Sequence, residues 1–471
     1  MKTIIGRDKE KEKLKDIVSS TKSEFVAIYG RRRVGKTFLI REYFKADFSF
    51  HLTGINNTTV SQQLYNFHLA ASKTFKQHHF ETPKNWLEAF NQLITGLEAS
   101  KTKRKVIFID ELPWFDSPKS NFLAALEHFW NHWASSRKDV VLIVCGSAAS
   151  WMIKKIMKNT GGLHNRVTER IKIEPFTLQE TELFLKHKKI IFNRHQIIEM
   201  YMIFGGIPYY LEALKKGKSV AQNIDEICFE RNGILHDEFK NLYASLFKNH
   251  ENHVQIIEAL GKKNIGLTRD DILKGVKFND GGTFTKLLEE LEESGFIRKY
   301  TYFGQTIKSG LYQLVDFYSL FYFNFLKNNT AENYWIANID NPKHRAWSGY
   351  AFELLCLLHS NQIKKALGIS GVQADLSSWK SKKSNPQAQI DLLFDRRDQV
   401  ITVCEMKYSL NKFTIDKKYA ENLRNKIENL RIEQKINKAI HLAMVTTYGV
   451  VENENYFDLV QNNITMDSLF E

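Results

Sequence analysis

The sequence predicts an α/β protein that opens on a parallel sheet, and three observations predict it. A strand-like run leads at once into a glycine-rich loop and a helix over residues 25–44. Two later apolar runs end in polar residues, at 110–111 and at 147, and a strand–turn–strand unit occupies 390–407. Apolar runs of this length, bounded by turn residues, are what strands buried on both faces of a parallel sheet look like.

The first unit is Phe25-Val26-Ala27-Ile28-Tyr29, followed by Gly30-Arg31-Arg32-Arg33-Val34-Gly35-Lys36-Thr37 and the amphipathic stretch Phe38 to Phe44. A G-x-x-x-x-G-K-[ST] loop set between strand and helix turns its backbone N–H groups onto phosphates. Residues Gly30 to Gly35 are therefore expected to cradle a nucleotide, with Lys36 reaching the β/γ-phosphates and the Thr37 hydroxyl on Mg²⁺. ATP and Mg²⁺ are the implied cofactors.

Such a loop calls for a second strand ending in a carboxylate. Lys105-Val106-Ile107-Phe108-Ile109-Asp110-Glu111 supplies it, with Asp110 on the metal side and Glu111 placed to accept a proton from an attacking water. A third strand runs from Val140 to Gly146 and ends at Ser147. Ligands of open parallel sheets lie beyond the carboxyl ends of the strands, which puts Ser147 near the γ-phosphate. There it either orients the hydrolytic water or is an ordinary turn serine. Arg166 and Arg170 follow the Gly161-Gly162 bend. Either can supply charge to the transferring phosphoryl group, in cis or across a subunit contact.

Taken together these residues resemble a family of AAA-related P-loop ATPases (DEXX-box ATPases) of archaea and bacteria that carry a nuclease-like C-terminal region. Ile5-Gly6-Arg7-Asp8-Lys9-Glu10 matches the family's Gly-Arg…Glu box, and the phosphate loop and Asp110-Glu111 match as well. So do Cys145-Gly146-Ser147, Leu163-His164-Asn165-Arg166 and Gly205-Gly206-Ile207-Pro208-Tyr209-Tyr210. The resemblance spans essentially the whole chain. It implies ATP hydrolysis, Gly6 and Arg7 beside the adenine, and a helical lid containing Gly205 to Tyr210. The sensor and finger signatures of ring-forming AAA+ machines are not reproduced, so no hexamer is implied and the oligomeric state stays open.

At 471 residues the chain is too long for one ordinary core. The pattern divides it into a P-loop ATPase core at 1–175, a helical lid and connecting helices at 176–250, a winged helix-turn-helix-like part at 251–330 and a nuclease-like part at 331–471. A composition of 43% hydrophobic and 25% charged residues is that of a folded protein rather than a disordered one. No window approaches 18 apolar residues and the first 14 residues lack a signal-peptide core, so the expectation is a cytoplasmic protein that does not enter a membrane. Cys145, Cys228, Cys356 and Cys404 have no metal-like spacing and are expected as reduced thiols. The formal charge of +14 favours an anionic partner, DNA or other nucleic acid first, with a lysine-rich solubilising surface as the competing account.

Helical periodicity runs from Pro175 into the Gly205–Pro208 turn and on through Phe229 to about Phe247. Beyond it, Val254 to Leu260, a helix begun by a Thr268 cap, and Thr283 to Ser294 give three helices, and 296–300 with 312–315 give a two-stranded wing. That order resembles a winged helix-turn-helix. Its third helix carries Glu289, Glu290, Glu292 and Glu293 beside Thr285 and Lys286, which favours packing or a protein contact over base reading. The aromatic stretch Phe317 to Phe325 fits a core better than a base-stacking platform.

In the last part, the helix at Gly349 to Leu355 carries Glu353. The strand Ile390 to Asp395, a turn at Asp398-Gln399 and the strand Val400 to Lys407 follow. Glu405 and Lys407 are two apart and so share a face, and the hairpin brings Asp391 toward them. Carboxylates and a lysine so placed can bind Mg²⁺ and position a water against a phosphodiester. The arrangement resembles the PD-(D/E)xK nuclease fold, a restriction-endonuclease-like α/β domain, with Ile390 where that motif has Pro. Charged residues on the exposed face of a hairpin would give the same pattern. A nucleotide-controlled switch with a protein partner and an inactive C-terminal part is the alternative function, while a nucleotide kinase lacks an identifiable acceptor site.

Overall fold

The computed structural model describes residues 3–471 except 46, 248, 264–265, 306–309, 329–330, 340 and 382–387. The chain forms two units. One is Met1–Pro175 with Leu246–Lys248 and Glu289–Ser294; the other is Phe176–Ser245, Asn249–Leu288 and Gly295–Glu471.

The first unit is built on five strands: β1 Glu24–Tyr29, β2 Phe50–Thr53, β3 Lys105–Asp110, β4 Val140–Gly146 and β5 Glu169–Lys172. All pair in parallel in the order β2-β3-β4-β1-β5. Every residue of β3 and β4 is buried, as their unbroken apolar runs require. One face packs on Phe67, Trp86, Phe90, Leu93, Phe122 and Phe129 from the intervening helices. Parallel strands put all their carboxyl ends on one edge, so the loops after β1, β3 and β4 meet there. β4 lies between β1 and β3, an order the chain's sequence does not reveal.

In the second unit the helices Leu178–His187 and Arg194–Phe204 start at complete capping boxes on Thr177 and Asn193. Gly205 (φ 62°) ends the latter and Gly206 (φ 67°) follows, where an added Cβ would strike the Phe176 carbonyl oxygen. Pro208 then opens the short helix Pro208–Glu212. The helical run expected to reach Phe247 is interrupted between Phe229 and Glu238, because Gly233 brings the chain back against the carbonyls of Glu226 and Ile227.

A helix His250–Gly261, β6 Leu267–Thr268, the helices Arg269–Lys274 and Gly282–Glu293, and then β7 Ile297–Tyr300 and β8 Leu311–Leu314 follow in that order. The sheet has three antiparallel strands in the order β6-β8-β7, one more than expected, since a two-residue strand leaves no periodic signal. This is a winged-helix element. Glu289 and Glu292 are exposed on its third helix beside Thr285 and Lys286. Phe317, Tyr318, Phe321 and Phe325 are buried, so the aromatic stretch is core.

The remaining sheet comprises β9 Ala374–Lys380, β10 Gln389–Arg396, β11 Val400–Lys407, β12 Ala439–Thr446 and β13 Asn462–Thr465, in the order β13-β12-β11-β10-β9. β9, β10 and β11 are antiparallel to one another and β11, β12 and β13 are parallel. The helix Lys417–Gln434 lays Ala420, Leu423 and Leu430 on its core with Ile390, Val403 and Met444. The acid-bearing helix starts earlier than expected, at Pro342 behind an Asn341 cap, and runs to Leu358. All four cysteines are free and buried. No described helix is long and apolar enough to cross a membrane.

Candidate functional site

Gly30 to Gly35 leave β1 in a wide turn that only certain residues can make. Gly30 has φ 140°, and a Cβ there would collide with the Ile173 carbonyl oxygen; Arg33 (φ 71°) and Gly35 (φ 89°) are left-handed. Nothing lies within 4 Å of where a Gly35 Cβ would be, so the space over the loop is open. The helix Lys36–Phe44 begins there with its unpaired N–H groups and positive dipole end, a ready anion site. Lys36 is buried, its Nζ donating to the carbonyls of Gly30 at 3.0 Å and Arg31 at 2.8 Å. Burial lowers its pKa, against the charges of Cys145, Glu111 and Asp110.

Asp110 ends β3 beside Lys36. Burial and the Glu111 charge raise its pKa, while hydrogen bonds from Thr37 and Cys145 work the other way. A hydroxyl and a carboxylate already in contact are the pair expected to hold Mg²⁺, so the residues present fit that ion. Glu111 has φ 49° and faces β4, where Ser147 donates to it twice, from Oγ at 2.8 Å and from the backbone N at 3.2 Å. These two bonds join Glu111 and Ser147, which nothing in the sequence links, into one pair.

Arg7 sits on the same loop from below. It is left-handed (φ 59°), buried, and its Nη2 donates to the Val34 carbonyl at 3.0 Å. Gly6 precedes it with φ 62°. Arg31 is buried, and Arg32 is half-buried. The two candidate charge donors are not brought to this edge. Arg166 is exposed and precedes Thr168, which binds Phe25 at the opposite end of β1. Arg170 pairs with Ala27 in mid-strand and its Nη2 donates to the Met157 carbonyl at 2.9 Å. β5 runs parallel to β1, so Arg166 before it and Arg170 within it both stand short of the carboxyl edge that carries the phosphate loop.

The second constellation gathers on β10, β11 and two helices. Asp391 lies on β10 where its pairing with β9 slips between Ile390 and Leu393, an irregularity that re-aims side chains. Gln389 donates to Asp391 Oδ1 at 2.6 Å. Burial raises the Asp391 pKa against that bond. Glu353, on the helix Pro342–Leu358, is pushed up to about 8 by burial and by Asp391. Glu405 is different. Burial works to raise its pKa, but Lys426 and Lys407 outweigh it and hold the group ionised. Lys426 Nζ lies 2.9 Å and Lys407 Nζ 3.3 Å from its oxygens, and the Tyr419 hydroxyl donates to it as well.

Among the described residues no three His, Cys, Asp or Glu side chains are gathered closely enough to hold a metal ion. Glu353 and Asp391 do fit one hard cation, being two desolvated acids that repel each other, and Mg²⁺ takes one or two carboxylates plus water. Glu405 is committed to lysines instead. Tyr419 and Lys426 went unnoticed in the sequence although they are seven apart, two turns up one helix face, after an Asp416 cap.

The raised Glu353 pKa has a stability consequence. The folded carboxyl keeps its proton up to about pH 8, whereas an unfolded glutamate loses it near pH 4.3. The folded state therefore binds the extra proton in that window, and its stability falls as pH rises through it. Glu353→Gln keeps the shape without the ionisation. Its Tm is expected to match the native value near pH 5 and to exceed it at pH 8.5, by about 1–2 °C for each kcal/mol relieved in a unit of this size. A native-to-variant difference that is the same at both pH values would show that Glu353 holds no such proton.

Residues 5–214 match a family described as an ATPase domain predominantly from Archaea. Over 373 residues the chain is 28% identical to an uncharacterized protein of Methanocaldococcus jannaschii, covering 77% of this chain and 79% of that one. It is also 28% identical over 173 residues to an uncharacterized ATP-binding protein of the same organism, 36% of this chain and 46% of that one. Among solved structures, the Walker-type ATPase of Pyrococcus abyssi is similar at 16% identity and a TM-score of 0.47, over 67% of this chain and 95% of that one. Residues 5–214 thus carry a P-loop ATPase domain, whose activity is ATP binding and hydrolysis.

Proposed function

We propose that this chain is a Mg²⁺-dependent ATPase whose turnover serves nucleic-acid binding or processing by a restriction-endonuclease-like C-terminal part. The convergence of Lys36, Thr37, Asp110, Glu111 and Ser147 on one sheet edge carries the first half of the reading. Lys36 takes the charge of the β/γ-phosphates, and Thr37 and Asp110 would hold the ion, which neutralises charge developing on the phosphoryl oxygens. Glu111, oriented by Ser147, accepts the proton of the attacking water. Gly6 and Arg7 flank the base. Arg166 or Arg170 supplies charge to the transferring phosphoryl group, in cis or across a subunit contact.

The second half rests on Glu353, Asp391 and the Glu405–Lys407 pair. Glu353 and Asp391 would hold Mg²⁺, which polarises a phosphodiester, and Lys407, fixed by Glu405, orients the water. The net charge of +14 favours an anionic partner. Asp391→Ala is expected to abolish Mg²⁺-dependent cleavage of single- or double-stranded DNA while leaving ATP turnover within about twofold, sites this separate in function being additive. The check is a gel assay with Mg²⁺ or Mn²⁺, with and without ATP. Native protein that cuts neither DNA nor RNA under any of these conditions removes the nuclease half.

The occupation of Glu405 by Lys426 favours one alternative, a nucleotide-controlled switch whose C-terminal part binds without cutting. DNA affinity measured over a salt series with ATP and with ADP separates the two. Salt-sensitive binding belongs to the nucleic-acid reading, and its absence to a protein-directed switch.

A further inference from the structure

Beside Glu353 and Asp391 lies a cavity of about 270 Å³, walled by Arg298, Tyr300, Tyr302 and Tyr350 and by those two acids. It belongs wholly to the second unit, and its walls are pinned. Tyr302 bridges to Ser378 on β9, and the Phe303 N–H donates to the Ser378 carbonyl at 2.7 Å. Ser378 Oγ in turn donates to the Asp391 carbonyl at 2.8 Å. The winged sheet is thus fastened to the edge of the β9–β13 sheet where β10 slips register, and the hollow is what that junction leaves.

We infer that this cavity is a subsite for one nucleotide unit at a polynucleotide end, with Arg298 gripping its phosphate and the tyrosines flanking its base and sugar. The inference rests on reading Glu353 and Asp391 as a phosphodiester centre, and names what that centre takes.

Arg298 carries the argument. Its Nε donates to Gln313 Oε1 at 2.8 Å, and Gln313 donates to the Tyr350 hydroxyl at 3.4 Å, so the guanidinium is aimed. Among the described residues its two Nη atoms make no hydrogen bond and it forms no ion pair. Its charge lies over the Tyr300 ring at 4.5 Å. Burial lowers the basicity of Arg298, so keeping it there is costly unless an anion joins it. A planar fork with two free nitrogens matches phosphate bidentately. Tyrosine faces are sequence-tolerant platforms for bases. At about 270 Å³ the cavity lies just below the usual range of ligand sites, roughly 300–1,000 Å³, so it has room for no more than one nucleotide unit. Two acids alone would repel the phosphate, so binding is expected to need a divalent cation.

The test is calorimetry on full-length Lys36→Ala protein, whose phosphate loop is silenced, in Ca²⁺. The probes are thymidine 5′-monophosphate, thymidine 3′-monophosphate, thymidine and inorganic phosphate. One of the two monophosphates is expected to bind, and Arg298→Ala to weaken it at least about tenfold, the loss of a charge-assisted pair. Arg298→Lys should recover part of the affinity, and Tyr302→Leu should weaken thymidine as well. Melting curves confirm that each variant is folded. If both monophosphates bind Arg298→Ala as tightly as the parent, or neither binds the parent, the subsite is overturned. Arg298-dependent binding without any cleavage of DNA or RNA would keep the subsite and sink the nuclease reading. Cleavage lost in Asp391→Ala with Arg298-independent binding would do the reverse.

Discussion

Glu111→Gln is expected to leave ATP bound and to slow its hydrolysis by about 10²–10⁴-fold, the range a positioned general base supplies. The physical case lies in the pairing with Ser147. A carboxylate receiving two hydrogen bonds from one neighbour, at 2.8 and 3.2 Å, is held in a single orientation at the sheet edge where the γ-phosphate would lie. Glutamine preserves size and can still accept from Ser147, so nucleotide affinity should change by less than about threefold. Its amide cannot take a proton. The measurement is steady-state ATPase alongside calorimetric ATP affinity in Mg²⁺. A variant that loses affinity as steeply as turnover would show that Glu111 holds the nucleotide rather than the water. Ser147→Ala should show a milder form of the same split, since it frees the carboxylate without removing it.

Lys36→Ala is the second large effect, this time on binding. The amine donates to the Gly30 and Arg31 carbonyls, and on ATP binding it is expected to exchange these neutral partners for phosphate oxygens. Charge-assisted hydrogen bonds contribute about 1.5–3 kcal/mol each, so losing one or two weakens ATP by roughly ten- to ten-thousandfold. The fold itself should suffer little. Burial already lowers the Lys36 pKa, so its positive charge is not a favourable resident there, and Tm should stay within a few degrees. Calorimetry with ATP and a melting curve on the same sample check both halves. Unchanged ATP affinity in a folded Lys36→Ala protein would overturn the nucleotide site altogether.

Much of the first site was legible because its signals are local. The Gly30–Thr37 loop, the apolar strand before it and the Asp110-Glu111 step each lie within a few consecutive residues, and backbone sterics force the glycines. The winged part was legible for the same reason, through the Thr268 cap and the helix ended by Gly295. For Arg166 and Arg170 only nearness along the chain was legible, and it is the parallel pairing of β5 with β1 that sets how far each stands from the phosphate loop. The second site was half visible. Glu405 and Lys407 share a face by alternation, but Lys426 and Tyr419 come from a helix beyond a loop, and Arg298 from another sheet.

The chain by itself determined where backbone could bend, which runs would bury as strands, and which side chains could meet a phosphate or a cation. Those follow from φ/ψ sterics and hydrophobic periodicity, which act over a few residues. Tertiary structure alone decided that β4 enters between β1 and β3, so that Ser147 meets Glu111 across 36 residues, and that Lys426 neutralises Glu405 while Glu353 and Asp391 are left to repel each other. Strand order and helix docking depend on how apolar faces of distant segments pack against one another, and charges are paired or stranded only once that packing has chosen their neighbours.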